Sequence, residues 1–370
     1  MEDQIITLGT YTYERAQIVQ TILESKGIEC FIQNVNLLQG AVSSGVKVRI
    51  HEADLEKSMK LIEKSIQPDE KRPKKENVKI TKPVILLPVD FSDYSYKAAD
   101  FAYDWAKALD AEIDLVHTYF DPVINSLPFS DSYMYDVNLE ELTADLQAAG
   151  EKGLKKMSQY LKKKNENQSK SVSIKKVLLK GVAEDEIVKY SNKIEPSIII
   201  MGTRGKDRKS VDLIGSVTAE VIDIAKVPVL AVPEDFPYTG IGDIKNVLYA
   251  TNFEESDFKA IDTLENLLKP LGVKIYCAHV VPEHAKEWDE VRMEGLKQYI
   301  QKKYKETNIE CDILQNEDFW VGIENYIRSK NISIMCFTAK RRNIISRLLN
   351  PSIAKKMLFH STTPLLVFHA

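Results

Sequence analysis

The chain repeats itself. Its stretch Val84-Ile85-Leu86-Leu87-Pro88-Val89-Asp90-Phe91-Ser92 lines up with the run from Val247 to Glu254 once Asp90 is set against Asn252, 162 positions later. Near the far end, Ser216 and Pro228 are twelve apart, as are Ser352 and Pro364, now at an offset of 136. One length difference of 26 residues, placed at Asp121–Asn138, reconciles the two offsets. Two copies of one unit must follow one pattern, so duplication constrains the fold more tightly than composition does.

Within the first copy, β-branched runs alternate with helical periodicity. The pattern predicts strands over Val84–Val89, Glu112–His117, Ser173–Leu179, Ser197–Met201 and Val227–Val232. Helices are predicted over Tyr94–Ala108, Asn138–Lys163, Glu184–Lys193 and Ser216–Ile224. Uninterrupted apolar runs such as Ile198-Ile199-Ile200-Met201 suit strands covered on both faces, as in parallel sheets. Each copy is therefore read as an α/β unit, a doubly wound, Rossmann-like sheet of five parallel strands. Ligands of such sheets sit beyond the carboxyl ends of the strands, at the point where strand order reverses.

Ahead of the repeat, residues 1–67 read as strand, helix, strand, strand, helix: Gln4–Gly9, Tyr13–Lys26, Glu29–Gln33, Val46–His51 and Glu52–Lys64. This order suggests a small ferredoxin-like α+β unit, with Gly27 as a helix C-cap and Gly40–Gly45 as a turn. The charged run across residues 68–81 offers no apolar face and reads as a linker. The expected domains are thus 1–67, 82–235 and 243–370. The insertion Asp121–Asn138 reads equally well as a lid or as a disordered segment.

The remaining bounds are exclusions. Fifty basic against 54 acidic residues give a net charge of −4, with no global field to attract nucleic acid. No apolar run reaches the roughly 20 residues of a membrane helix, and the start of the chain lacks a basic-then-apolar leader pattern. Cys30, Cys277, Cys311 and Cys336 have neither disulfide-scaffold nor metal spacing. A cytoplasmic protein is expected. No nucleophile elbow, Walker lysine or H-E-x-x-H occurs, and His117 reads as a packed histidine, so neither catalytic nor metal-binding residues are assigned.

One loop stands out. The fourth strand runs into Met201-Gly202-Thr203-Arg204-Gly205-Lys206-Asp207-Arg208-Lys209-Ser210, and Gly215-Ser216 opens the next helix. Gly202 and Gly205 would let backbone approach a phosphate closely, and Gly215 and Ser216 would present N–H groups at a helix N-terminus. Four cations against Asp207 add positive charge. Ser92 is the better candidate to cap the helix at Tyr94, which leaves Asp90 for a ligand.

The spacing Gly202, Gly205, Gly215, Ser216 resembles the ATP-binding signature of the universal stress protein (UspA-like) family. Pro88–Ser92, Leu115–Thr118 and Gly181–Ile187 resemble that family's first strand and acidic turn, second strand end and third-helix turn. Together the copies cover about three quarters of the chain. The resemblance implies an adenine nucleotide alpha hydrolase-like fold holding ATP, ADP or AMP, with Mg2+ as an optional companion. It implies a pocket lined by Pro88, Val89, Asp90, Thr118, Met201, Gly202, Arg204, Gly205, Gly215, Ser216 and Val217. The N-terminal unit, through Tyr11–Ala16, Gly27–Cys30 and Val46–Val48, resembles short bacterial signal-transducing domains.

In the second copy Gly202, Gly205 and Gly215 become Thr338, Arg341 and Pro351, and Asp90 becomes Asn252. Each change adds bulk or removes an N–H, so this copy reads as degenerate. Its expected role is to pair with the first copy through Val227–Val232 and Pro364–Phe368, an intrachain pseudo-dimer covering two sheet edges. Whether chains dimerise further stays open. The resulting expectation is a nucleotide-responsive stress or signalling protein. A slow ATPase or nucleotidyl-transfer enzyme and a nucleotide-free interaction scaffold are the alternatives.

Overall fold

The computed structural model describes residues 5–11, 13–33, 46–55, 57, 58, 61, 82–120, 139–164, 171–203, 215–282, 287–304, 308–339 and 363–369. The Gly40–Gly45 turn, the 68–81 linker, the 121–138 insertion, Arg204, Gly205, Arg341 and Pro351 lie outside them.

The N-terminal unit consists of β1 (Ile5–Tyr11), α1 (Tyr13–Glu24), β2 (Cys30–Gln33) and β3 (Val46–His51), with antiparallel strand order β1-β3-β2. Ala16, Val19 and Leu23 recur at helical spacing and bury one face of α1 against Ile28, Val48 and Ile50. Where a helix was expected from Glu52, residues 52–54 form a single 3₁₀ turn, and helical residues follow at 55, 57, 58 and 61.

The repeat builds one ten-stranded sheet. Its first half comprises β4 (Val84–Pro88), α2 (Asp93–Leu109), β5 (Glu112–Tyr119), α3 (Leu139–Lys163), β6 (Ile174–Lys180), α4 (Ala183–Ile194), β7 (Ile198–Gly202), α5 (Ser216–Ile224) and β8 (Val229–Val232). The second half runs β9 (Asn246–Ala250), α6 (Glu255–Leu268), β10 (Lys274–Val281), α7 (Glu287–Lys303), β11 (Ile309–Gln315), α8 (Phe319–Ser329), β12 (Ile334–Ala339) and β13 (Leu365–His369). The spatial order is β11-β10-β9-β12-β13-β8-β7-β4-β5-β6. Each half is parallel within itself and reverses strand order between its first and fourth strands, the doubly wound arrangement.

The halves join where expected. Strands β8 and β13 pair antiparallel, Leu365 opposite Ala231, Leu366 opposite Leu230 and Val367 opposite Val229. Leu230 and Leu366 are equivalent in the repeat, so a pseudo-twofold axis passes between them. Trp105 of α2 is fully buried, and its Nε1–H donates to the Leu267 carbonyl at 3.1 Å, a C-terminal carbonyl of α6. The connector between the halves packs Tyr238 on Phe101, ring centroids 4.7 Å apart, and the Tyr238 hydroxyl donates to Asp104 at 2.7 Å. Strand β1 also lies against α5, which places the N-terminal unit beside the helix that follows the glycine loop.

Candidate functional site

The first half's switch point lies between the carboxyl ends of β4 and β7. Val89 is held there as its N–H donates to the Val116 carbonyl at 2.8 Å. The chain then turns through Phe91 at φ 63°, a left-handed conformation uncommon outside glycine. Two contacts brace this turn. The His117 Nδ1–H donates to the Val89 carbonyl at 2.7 Å, and its ring packs on Phe91 at 4.4 Å. Helix α3 meets the Phe91 ring with Gly153, where any Cβ would collide with it.

Ser92 caps α2, its hydroxyl accepting from the Ser95 N–H at 3.3 Å. Asp90, which the sequence leaves for a ligand, also closes a local turn. Its Oδ1 accepts from the Ser92 N–H at 3.0 Å, the Ser92 hydroxyl at 2.6 Å and the Ser95 hydroxyl. A carboxylate two residues ahead of a serine readily closes such an Asx turn, and the hydroxyls orient it.

At the end of β7, Met201, Gly202 and the following Thr203 are all buried. Thr203 accepts from the Gly215 N–H at 2.6 Å, so the glycine loop leaves and returns across one hydrogen bond. The Gly215 N–H is thereby engaged, contrary to the expectation that it is presented to an anion. The Thr218 hydroxyl donates to the Gly202 carbonyl at 2.8 Å and ties α5 to the strand end. Gly202 has its own packing reason. A Cβ there would stand 2.8 Å from Tyr94 Cβ and 3.0 Å from the Tyr94 backbone, against the first turn of α2.

Pro88, Val89, Asp90, Thr118, Met201, Gly202, Gly215, Ser216 and Val217 therefore gather at the carboxyl ends of β4, β5 and β7 and the start of α5. Ser216 and Val217 open that helix, whose first N–H groups have no intrahelical acceptor.

The second half keeps the brace and alters the centre. Phe253 has φ 59°, His279 Nδ1–H donates to the Thr251 carbonyl at 2.7 Å, and Phe253 lies 4.5 Å from the His279 ring. At the Ser95 position stands Asp257, which accepts from the Thr251 hydroxyl at 2.8 Å and the Asn252 N–H at 2.9 Å. The carboxylate has moved from the turn into the helix. Tyr249, at the Leu87 position, bonds Asp257 at 2.9 Å and the Thr338 hydroxyl at 2.6 Å. Burial, reinforced by the Asp257 charge, pushes the Tyr249 phenol well above its ordinary range. Thr338 occupies the Gly202 position, so three side chains fill this switch point. The sequence reading registered Thr338 and missed Tyr249 and Asp257. Leu87 to Tyr249 and Ser95 to Asp257 at the repeat offset were the available signal.

Among the described residues no cluster of three or more His, Cys, Asp or Glu is arranged to hold a metal ion, and no helix is long and apolar enough to cross a membrane.

A family model described as "Universal stress protein family" matches residues 83–233 and again 243–369. The chain belongs to the universal stress protein family. A universal stress protein of Methanocaldococcus jannaschii is 34% identical over 148 residues, 40% of this chain and 80% of the relative. One from Bacillus subtilis is 27% identical over 149 residues, 40% of this chain and 97% of the relative. A solved universal stress protein from Archaeoglobus fulgidus superposes with a TM-score of 0.59 at 19% identity, covering 78% of this chain and 96% of that one. That likeness speaks for the tandem fold alone. Ahead of the stress-protein repeat, residues 14–66 match a model described as "Putative prokaryotic signal transducing protein".

Proposed function

We propose that the first stress-protein half binds an adenine nucleotide, ATP, ADP or AMP, and that occupancy rather than turnover carries the signal. One observation bears most of the weight. Two halves with the same braced turn differ at the switch point, where the second spends Tyr249, Asp257 and Thr338 on a buried network and the first has Leu87, Ser95 and Gly202. In this reading the backbone of Thr118 meets the adenine edge, Met201 flanks the base, and Pro88 and Val89 form the floor. Asp90, oriented by Ser92 and Ser95, takes ribose hydroxyls. Gly202 and Gly215 shape the ends of the loop, while Arg204, the backbone at Gly205 and the first turn of α5 at Ser216 and Val217 hold phosphates. No Mg2+ ligand is assigned. Residues 1–67, 82–235 and 243–370 act as units about the 68–81 linker, in a protein of the cytoplasm, with the second half as pseudo-dimer partner.

Calorimetric titration with ATP, ADP and AMP tests this. One site per chain is expected, lost in Gly205→Val and kept in Arg341→Ala. Absence of binding below millimolar, or equal loss in both variants, refutes the single-site reading. Multiple turnover abolished by Asp90→Ala would replace signalling by slow hydrolysis.

A further inference from the structure

The second half holds a thiol pair that nothing in the nucleotide reading uses. Strand β11 ends the sheet, and its Cys311 lies in register opposite Cys277 of β10. Paired residues of neighbouring strands share a face and sit about 4.8 Å apart, within the roughly 4.4–6.8 Å Cα range of disulfides. Cys311 is partly exposed at this edge, whereas Cys277 and Cys336 are buried. Cys336 is separated from Cys277 by Tyr249 of β9, so its strand lies about 10 Å away. Cys30 belongs to the other sheet. Among the four cysteines only Cys277 is placed to reach Cys311.

We propose that Cys311 and Cys277 form a peroxide-sensitive site, Cys311 being oxidised first and Cys277 resolving it to a disulfide. The chemistry follows from the surroundings. Interaction between the two thiols lowers the Cys311 pKa below its ordinary value and, together with burial, raises that of Cys277. The Lys297 ammonium of α7 helps Cys311, while burial, Asp312 and Glu294 oppose it. Thiolate character and access at one cysteine, beside a second that is buried, is the pattern of a sensor thiol with its resolving partner.

In the first step the Cys311 thiolate attacks one oxygen of a hydroperoxide. The O–O bond breaks, the other oxygen leaves as water or alcohol after taking a proton, and Cys311 becomes a sulfenic acid. In the second step the Cys277 sulfur attacks the Cys311 sulfur. The S–O bond breaks, and the hydroxide takes the Cys277 proton and leaves as water. Two electrons pass from the two thiols to the peroxide. A dithiol reductant returns the pair by exchange. The product ties the edge strand β11 covalently to β10.

The full chain, treated with stoichiometric hydrogen peroxide, alkylated and digested, should yield a Cys277–Cys311 cross-linked peptide that dithiothreitol releases. In Cys277→Ser, checked for an unchanged circular dichroism spectrum, Cys311 should accumulate as a sulfenic acid that dimedone traps. In Cys311→Ser, Cys277 should stay reduced. Should Cys277→Ser fail to fold, the wild-type protein decides by labelling: maleimide should modify Cys311 about ten-fold faster than Cys277 or Cys336, as expected for an accessible, low-pKa thiol. Oxidation of Cys277 in the absence of Cys311, equal oxidation of Cys30 and Cys336, or a Cys311 sulfinic acid formed without cross-link would each overturn the proposal.

Discussion

Replacing Gly202 by alanine probes whether its bareness serves packing or ligand. The added Cβ would lie 2.8 Å from Tyr94 Cβ and 3.0 Å from the Tyr94 backbone carbon and oxygen. Comfortable carbon contacts are about 3.5–4.0 Å, so about 0.5–1 Å must be found. It cannot come from a side-chain swing, because the obstructing atoms belong to the first turn of α2, which Ser92 caps. Nor can β7 withdraw easily, since it is paired with β4 on one side and β8 on the other. Overpacking of this kind costs about 1–3 kcal/mol. With a urea m-value of about 3 kcal/mol/M, the midpoint should fall by about 0.3–1 M. Gly240, with nothing within 4 Å of its own added Cβ, is the control, and Gly240→Ala should stay within about 0.5 kcal/mol of the parent. A Gly202→Ala protein with the parental midpoint would refute the packing argument. If that protein also lost nucleotide binding, the glycine would belong to the ligand instead.

Three further outcomes follow from particular contacts. Trp105→Phe leaves the buried Leu267 carbonyl without its donor and shrinks a filled site, and should lower stability by about 1–3 kcal/mol in urea titration. Tyr249→Phe removes a hydroxyl from the buried Asp257 and Thr338, with a similar loss of about 1–3 kcal/mol by the same assay and no change in nucleotide affinity. Asp223 has a buried, unpartnered Oδ1, and burial lifts its pKa from 3.8 to about 7. Its folded form binds the proton more tightly than the unfolded chain, so stability falls as pH rises from about 4 to about 7. Asp223→Asn should flatten that slope and raise the urea midpoint at pH 8, and a slope unchanged between pH 5 and 8 would exclude Asp223 as its source.

The sheet was readable because its evidence is one-dimensional. The duplication and the uninterrupted apolar strands led to the doubly wound halves and to the β8–β13 seam, and Ser216–Ile224 and Val46–His51 stand with the bounds expected. Strand β8 begins at Val229 rather than Val227 because Pro228 has no N–H to give the ladder. The site was harder, since its details depend on segments far apart in sequence. Nothing near Gly202 announces that Tyr94 will press on it, and nothing near Asp90 announces that Ser95 will join Ser92 in claiming its carboxylate. Nothing beside Tyr249 or Asp257 in the sequence marks either residue as part of a buried network. Only their meeting with Thr338 makes them a plug.

The seam at Leu230 and Leu366 has an evolutionary side. In a dimer of identical chains every substitution at the dyad strikes twice, and a tolerable change on one side must also be tolerable against itself. Here the facing leucines are encoded separately, so each can drift alone, and the mismatch it creates is met by an unaltered neighbour. Covalent fusion thus turns a self-complementary junction into one that can be retuned a residue at a time.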